Sequence, residues 1–260
     1  MSELPRNAYG RPGIGGVSVP SASIDQGLRT YMLSVYNYMS LGLAITGLAA
    51  IGAFMLAVTS DANSAVATAR GMHLTQFGYL LFASPLKWVV LLAPLGMVFF
   101  LSARLNSLSA SGAQIAFYVF AGLMGLSLSS IFLVYTGASI SRVFFITAAT
   151  FGALSLWGYT TKRDLSAMGT FLMMGLIGIV IASLVNLFIG STMVQFVVSV
   201  LGVLIFSGLT AYDTQRIKEM YLEGDDRDTM GRKAIFGALS LYLDFINLFT
   251  SLLSIFGNRN

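Results

Sequence analysis

Eleven of the 260 residues are acidic, and only two of them, Asp213 and Asp244, fall inside long apolar runs. An Asp at the middle of a membrane helix costs about 2.5–3.5 kcal/mol even on the lenient insertion scale. Residues kept at that cost are read first as an ion path, a proton relay or a catalytic pair. Asp244 belongs to a series, Ser240, Asp244, Asn247, Ser251 and Ser254, spaced i, i+4, i+7, i+11 and i+14. On a helix this spacing makes one polar stripe, which should face the interior of a bundle. Asp213 ends the preceding apolar run, below Ser199, Ser207 and Thr210, and its helix should continue through Gln215, Lys218 and Glu219. Consecutive runs are plausible neighbours, so the two carboxyls could meet. Such a pair titrates as a unit and could hold a cation weakly. Two carboxyls fill only part of a hard cation's oxygen shell, so Ser240, Asn247, Ser251, backbone carbonyls and water would have to complete it around Asp213 and Asp244.

Arg104 ends another apolar run at a depth similar to Asp213. A cation there could hold Asp213 ionised and lock an inner mouth, released when the acid is protonated. Each feature also has a plainer reading. Asp213 could pair with Arg216 on its own helix. Asp244 could be a neutral carboxyl that serves packing. Arg104 could snorkel to lipid phosphates. The run Asp225-Asp226-Arg227-Asp228 reads as a solvated loop. Several chemistries are excluded: cysteine is absent and histidine occurs once, at His73 in a polar connection. Zinc needs about four ligands, mostly Cys and His, and a Cys nucleophile is missing outright. The chain is expected to be no enzyme and to hold no tightly bound cofactor.

The elements that must carry these residues follow from composition. Hydrophobic residues make up 56% of the chain and charged residues 10%, against roughly 25% charged in soluble domains. So few charges could not cover a chain of this size in water, and the lipid bilayer must be the main solvent. Seven runs approach the roughly 20 residues needed to cross the hydrocarbon: 34–58, 86–104, 113–135, 143–160, 168–189, 194–213 and 234–256. The expected fold is an all-α integral membrane protein, a seven-transmembrane-helix bundle over residues 30–260. Pro94 should kink the second span. Residues 1–29, rich in Gly, Pro and Ser, read as a mobile tail and lack the apolar run of a signal peptide. With the N-terminus inside, eleven of the fifteen basic residues fall on the inner side, so the tail is expected to be cytoplasmic. Whether the last segment spans or re-enters stays open. No basic patch interleaved with aromatics suggests nucleic acid.

Three segments carry a resemblance: Gly125-Leu-Ser-Leu-Ser-Ser-Ile-Phe-Leu-Val-Tyr-Thr136, Ala211-Tyr-Asp-Thr-Gln215 and Ala238-Leu-Ser-Leu-Tyr-Leu-Asp-Phe-Ile-Asn-Leu-Phe249. Over roughly residues 29–258 the chain resembles the transmembrane Bax inhibitor motif (Bax inhibitor-1) family, and its tail and first span look most like bacterial members. The resemblance implies a bundle whose last helix is central, surrounded by the other six. It also implies a pH-sensitive calcium leak with paired aspartates as sensor, here Asp213 and Asp244, in an inner membrane. A second-helix arginine is associated with gating in the family, and Arg104 is the nearest match. The membrane glutamate of some members has no counterpart in these spans.

The leading expectation is therefore a pH-sensitive calcium leak. One alternative is a non-transporting regulator that restrains another membrane protein, such as a protease, through the tail and the 214–233 connection. Another is an intramembrane aspartyl protease. Tyr212-Asp213 echoes the Tyr-Asp of presenilin-like enzymes, but Leu241, Tyr242 and Leu243 stand where their Gly-x-Gly would precede the second aspartate.

Overall fold

The computed structural model describes residues 21–104 and 107–260. The chain forms α1 (Ser21–Ala57), a small sheet of β1 (Val58–Thr59), β2 (Ala67–Ala69) and β3 (Met72–Leu74), a short α2 (Gln76–Gly78) and α3 (Leu86–Arg104). There follow α4 (Ala110–Leu128), α5 (Ile131–Val134), α6 (Gly137–Thr160), α7 (Ser166–Ile189), α8 (Thr192–Glu219) and α9 (Arg227–Phe256). Among the described residues six helices are long and apolar enough to cross a membrane; a seventh crossing results if Gln76–Ala83 and Leu86–Leu101, which meet at 65°, form one span. The outer surface is apolar: Phe188 is 89% exposed, Leu48 74% and Phe171 72%. This is an all-α integral membrane bundle.

Several boundaries differ from the sequence reading. Residues 21–29, read as tail, are the start of α1; residues 1–20 of that tail lie outside the described residues. Ser21-Ala-Ser-Ile-Asp-Gln26 contains no Pro or Gly, and adding turns to an existing helix costs little. The bend ahead of α3 falls at Ser84-Pro85, where Pro lacks an amide donor, while α3 runs on through Pro94. The third span breaks between α4 and α5 at Ser129-Ser130. The freed backbone beyond α5 is paired from the C-terminal segment: the Asn260 amide donates to the Val134 carbonyl at 2.9 Å, and the Thr136 amide to that of Asn258 at 3.1 Å. The connection after α1 is a three-stranded antiparallel sheet, not a loop, in the order β1-β3-β2. Its hairpin turns at Arg70 (φ 49°) and Gly71 (φ 79°), the left-handed pair that a tight hairpin requires.

The core gathers on α9, which is a single unbroken helix. Over its apolar window 56% of residues are buried, against 11% for α7. Helices α1, α4, α6 and α8 pack on it, whereas α3 packs mainly on α4 and α7 mainly on α8. Close approach relies on glycine. A Cβ at Gly158 of α6 would stand 2.3 Å from the Ala211 carbonyl oxygen of α8, and one at Gly125 of α4 would stand 2.5 Å from that of Thr46 in α1.

Candidate functional site

The aspartate pair is set by the packing of α8 against α9. The C-terminal turns of α8 are pinned to the end of α6 and the α6–α7 connection. Gln215 Oε1 accepts from the Leu165 amide at 2.9 Å, and its Nε2 donates to the Arg163 carbonyl at 2.8 Å. Lys218 Nζ donates to the Tyr159 carbonyl at 2.9 Å. With that face of α8 held, Asp213 projects from another toward α9. On α9, Asp226 caps the N-terminus by accepting from the Thr229 amide at 2.6 Å. Lys233 pairs with Asp225 at 2.5 Å and Arg232 with Asp228 at 3.0 Å. The run 225–228 is mostly solvated, as read from the sequence, and it also leads into α9 and anchors the connection.

Asp244 is enclosed, at 5% exposure, and Asp213 is half-buried. Their carboxyl groups lie within hydrogen-bonding reach of each other. Carboxylates only accept hydrogen bonds, so a bond between them requires one to carry the proton. Asp244 Oδ2 is buried and receives no hydrogen bond. Asp213, Asp244, Ser240, Asn247 and Ser251 all line one cavity of about 700 Å³ between α7, α8 and α9, and Arg216 stands at it too. The polar stripe therefore faces this cavity, while the wall from α7 is largely apolar, with Leu176, Val180 and Leu187. Asn247 Nδ2 donates to the Leu243 carbonyl at 2.8 Å, which leaves its amide oxygen as an acceptor. Ser254 receives a hydrogen bond from Ser199 at 2.9 Å.

Arg104 does not join this group. Its side chain is exposed, it forms no ion pair among the described residues, and the cation nearest in effect to Asp213 is Arg216. The expected Arg104–Asp213 lock is not formed because α3 packs on α4, away from α8. Arg216 lies too far from Asp213 for an ion pair and stands 5.9 Å from the centre of the Phe236 ring. His73 sits in β3, in register with Thr59 and Thr68, outside the cavity. Among the described residues no three His, Cys, Asp or Glu side chains form a metal-binding cluster. The protein could offer a cation the two carboxyls, the Asn247 oxygen and the Ser240 and Ser251 hydroxyls, an oxygen-only set suited to calcium rather than to zinc.

Sequence reasoning missed two polar contacts that tie the bundle around this site. Tyr242 Oη lies 2.6 Å from Thr46 Oγ1 in the core. Tyr36 Oη lies 2.6 Å from Ser155 Oγ, which is 2.9 Å from Thr214 Oγ1. Single Thr, Ser and Tyr residues on separate helices carry no spacing signal.

A family model described as inhibitor of apoptosis-promoting Bax1 matches residues 28–260. The chain is 48% identical over 236 residues to the inner membrane protein YbhL of Escherichia coli, covering 90% of this chain and 93% of that one. It is 46% identical over 239 residues to an uncharacterized protein of Caulobacter vibrioides (91% and 92% covered). It is 44% identical over 237 residues to one of Rickettsia prowazekii (91% and 93%). The match runs through α8 and α9 and the carboxyl pair they hold, and the chain belongs to the Bax inhibitor-1 family.

Proposed function

We propose that this protein is a pH-sensitive cation leak, with calcium as the preferred ion, whose path passes the α7–α8–α9 cavity and is gated by Asp213 and Asp244. The observation that carries the reading is the approach of two carboxyls within the bilayer-spanning part of α8 and α9. When both are ionised, like charges repel and a divalent cation is attracted; when a proton is shared, the carboxyls hold each other and the path is shut. The two groups titrate as one unit, so a small pH change alters both the contact and the charge of the cavity. The incomplete oxygen shell suits conduction, which needs an ion to leave as readily as it enters. In this reading the chain is a conduit and not an enzyme. It resides in an inner membrane, as YbhL does by its name, with its N-terminus cytoplasmic.

The test is calcium flux into proteoliposomes between about pH 6 and 8, the range over which a coupled carboxyl pair is asked to respond. Wild type is compared with Asp213→Asn and Asp244→Asn. A leak whose pH dependence disappears in both variants supports the gate. Flux unchanged in Asp244→Asn sinks the mechanism. Absence of flux in every protein directs attention to restraint of a partner membrane protein instead.

A further inference from the structure

A second cavity, of about 1120 Å³, lies between α1 and α6, with Phe245 of α9 in its wall. Helices α1 and α6 both pack on α9 but make no comparable approach to each other, so a lateral cleft separates them. Arg29 lines one end. The side chain of Arg29 is exposed and makes no ion pair among the described residues.

The walls are apolar except for Arg29, Ser40, Tyr159 and the already bonded Tyr36 and Ser155. Water needs two to four polar partners to settle in a cavity, and this one offers few that are free. An empty void would forfeit dispersion contacts along its whole lining. The available flexible apolar filler is an acyl chain from the bilayer. The cleft is long enough: α1 lines it from Arg29 to Ile51, about 33 Å of helix rise. Half of the hydrocarbon core is roughly 15 Å.

Two glycines, Gly47 and Gly152, contribute to the walls, and a Cβ at either position meets nothing within 4 Å. At Gly158, one helix face away, a Cβ would strike the α8 backbone. Space at Gly152 is therefore not demanded by helix packing. Arg29 supplies a planar, permanently charged donor fork that matches a phosphate group.

We propose that the α1–α6 cleft binds one anionic phospholipid, its acyl chain lying along Gly152 and its phosphate held by Arg29.

The experiment uses the full chain in nanodiscs, with phosphatidylglycerol carrying a diazirine on one acyl chain. Cross-linked peptides are mapped by mass spectrometry. The cleft peptides of α1 and α6 should be labelled several-fold more than those of α7, a helix at least as exposed to lipid. Gly152→Leu should remove that excess, since leucine occupies the cleft and favours helix over glycine. Gly47→Leu, checked for folding by thermal unfolding, provides the same readout should Gly152→Leu fail to fold. Arg29→Gln should lower labelling by phosphatidylglycerol more than labelling by a phosphatidylcholine probe, whose choline cation offsets the charge of its phosphate. Equal labelling of the cleft and α7, or an excess that survives the glycine variants, overturns the site. Stronger labelling by a free diazirine fatty acid overturns the phospholipid assignment, and an unaffected Arg29→Gln overturns the role given to Arg29.

Discussion

Arg216, and not Arg104, is the cation whose charge acts on the Asp213 carboxyl. Both residues lie in the last turn of a helix, but Arg216 sits on α8 itself, one turn after Asp213, whereas Arg104 ends a helix that packs on α4. The cation that shares the cavity with the pair is thus carried by α8 itself, with no bridge from α3.

This relationship separates two gating schemes. Under the proposed leak, Arg216→Gln should change the pH profile of calcium flux, because it removes the charge acting on Asp213. Arg104→Gln should leave the profile unchanged. The reverse pattern in the proteoliposome assay would show that α3 reaches the gate in the working state.

Thr46 and Tyr242 give a stability prediction with a built-in asymmetry. Thr46 Oγ1 lies 3.0 Å from the Gly42 carbonyl and 2.9 Å from that of Ala121. Its one proton serves a carbonyl, so the Tyr242 hydroxyl donates to Thr46. Tyr242→Phe deletes one hydrogen bond and should cost about 0.5–1.5 kcal/mol. Thr46→Val strands a fully buried tyrosine hydroxyl and should cost more, about 1–3 kcal/mol. Reversible unfolding in mixed detergent would rank them, and equal costs would refute this donor assignment.

The glycines divide into those that packing requires and those it does not. Gly158→Ala drives a methyl into the Ala211 backbone and should destabilise by about 1–3 kcal/mol, the usual cost of overpacking. Gly122→Ala meets nothing within 4 Å and should be neutral or stabilising by up to about 1 kcal/mol, from helix propensity. Thermal unfolding of the two variants side by side tests the contrast.

Asp226 supplies a pH control outside the membrane. The Thr229 hydroxyl and backbone amide hold its carboxyl below the usual carboxylate range. A lowered folded value means that the cap's contribution is present above the unfolded pKa of about 3.9 and is lost as pH falls through the folded value. Asp226→Ala should therefore lower Tm by the same amount at about pH 6 and pH 8. A difference between the two would mean that another titrating group is coupled to the start of α9.

By itself the sequence determined the solvent, most of the helices and the two acids that lie within the spans. Low charge and long apolar runs leave lipid as the medium whatever the packing, and the spacing from Ser240 to Ser251 puts those residues on one face of any helix. The tertiary structure decided what that face meets. Asp213 was legible as a residue at the end of a span, but its approach to Asp244 depends on the angle and depth at which α8 crosses α9. Gln215 and Lys218 help to set that crossing through backbone groups at the end of α6 and in the α6–α7 connection, which periodicity does not encode. Arg104 misled for the same reason. Depth along a span can be read from the chain, but which neighbour a helix faces is fixed only when side chains and glycines from distant segments pack together.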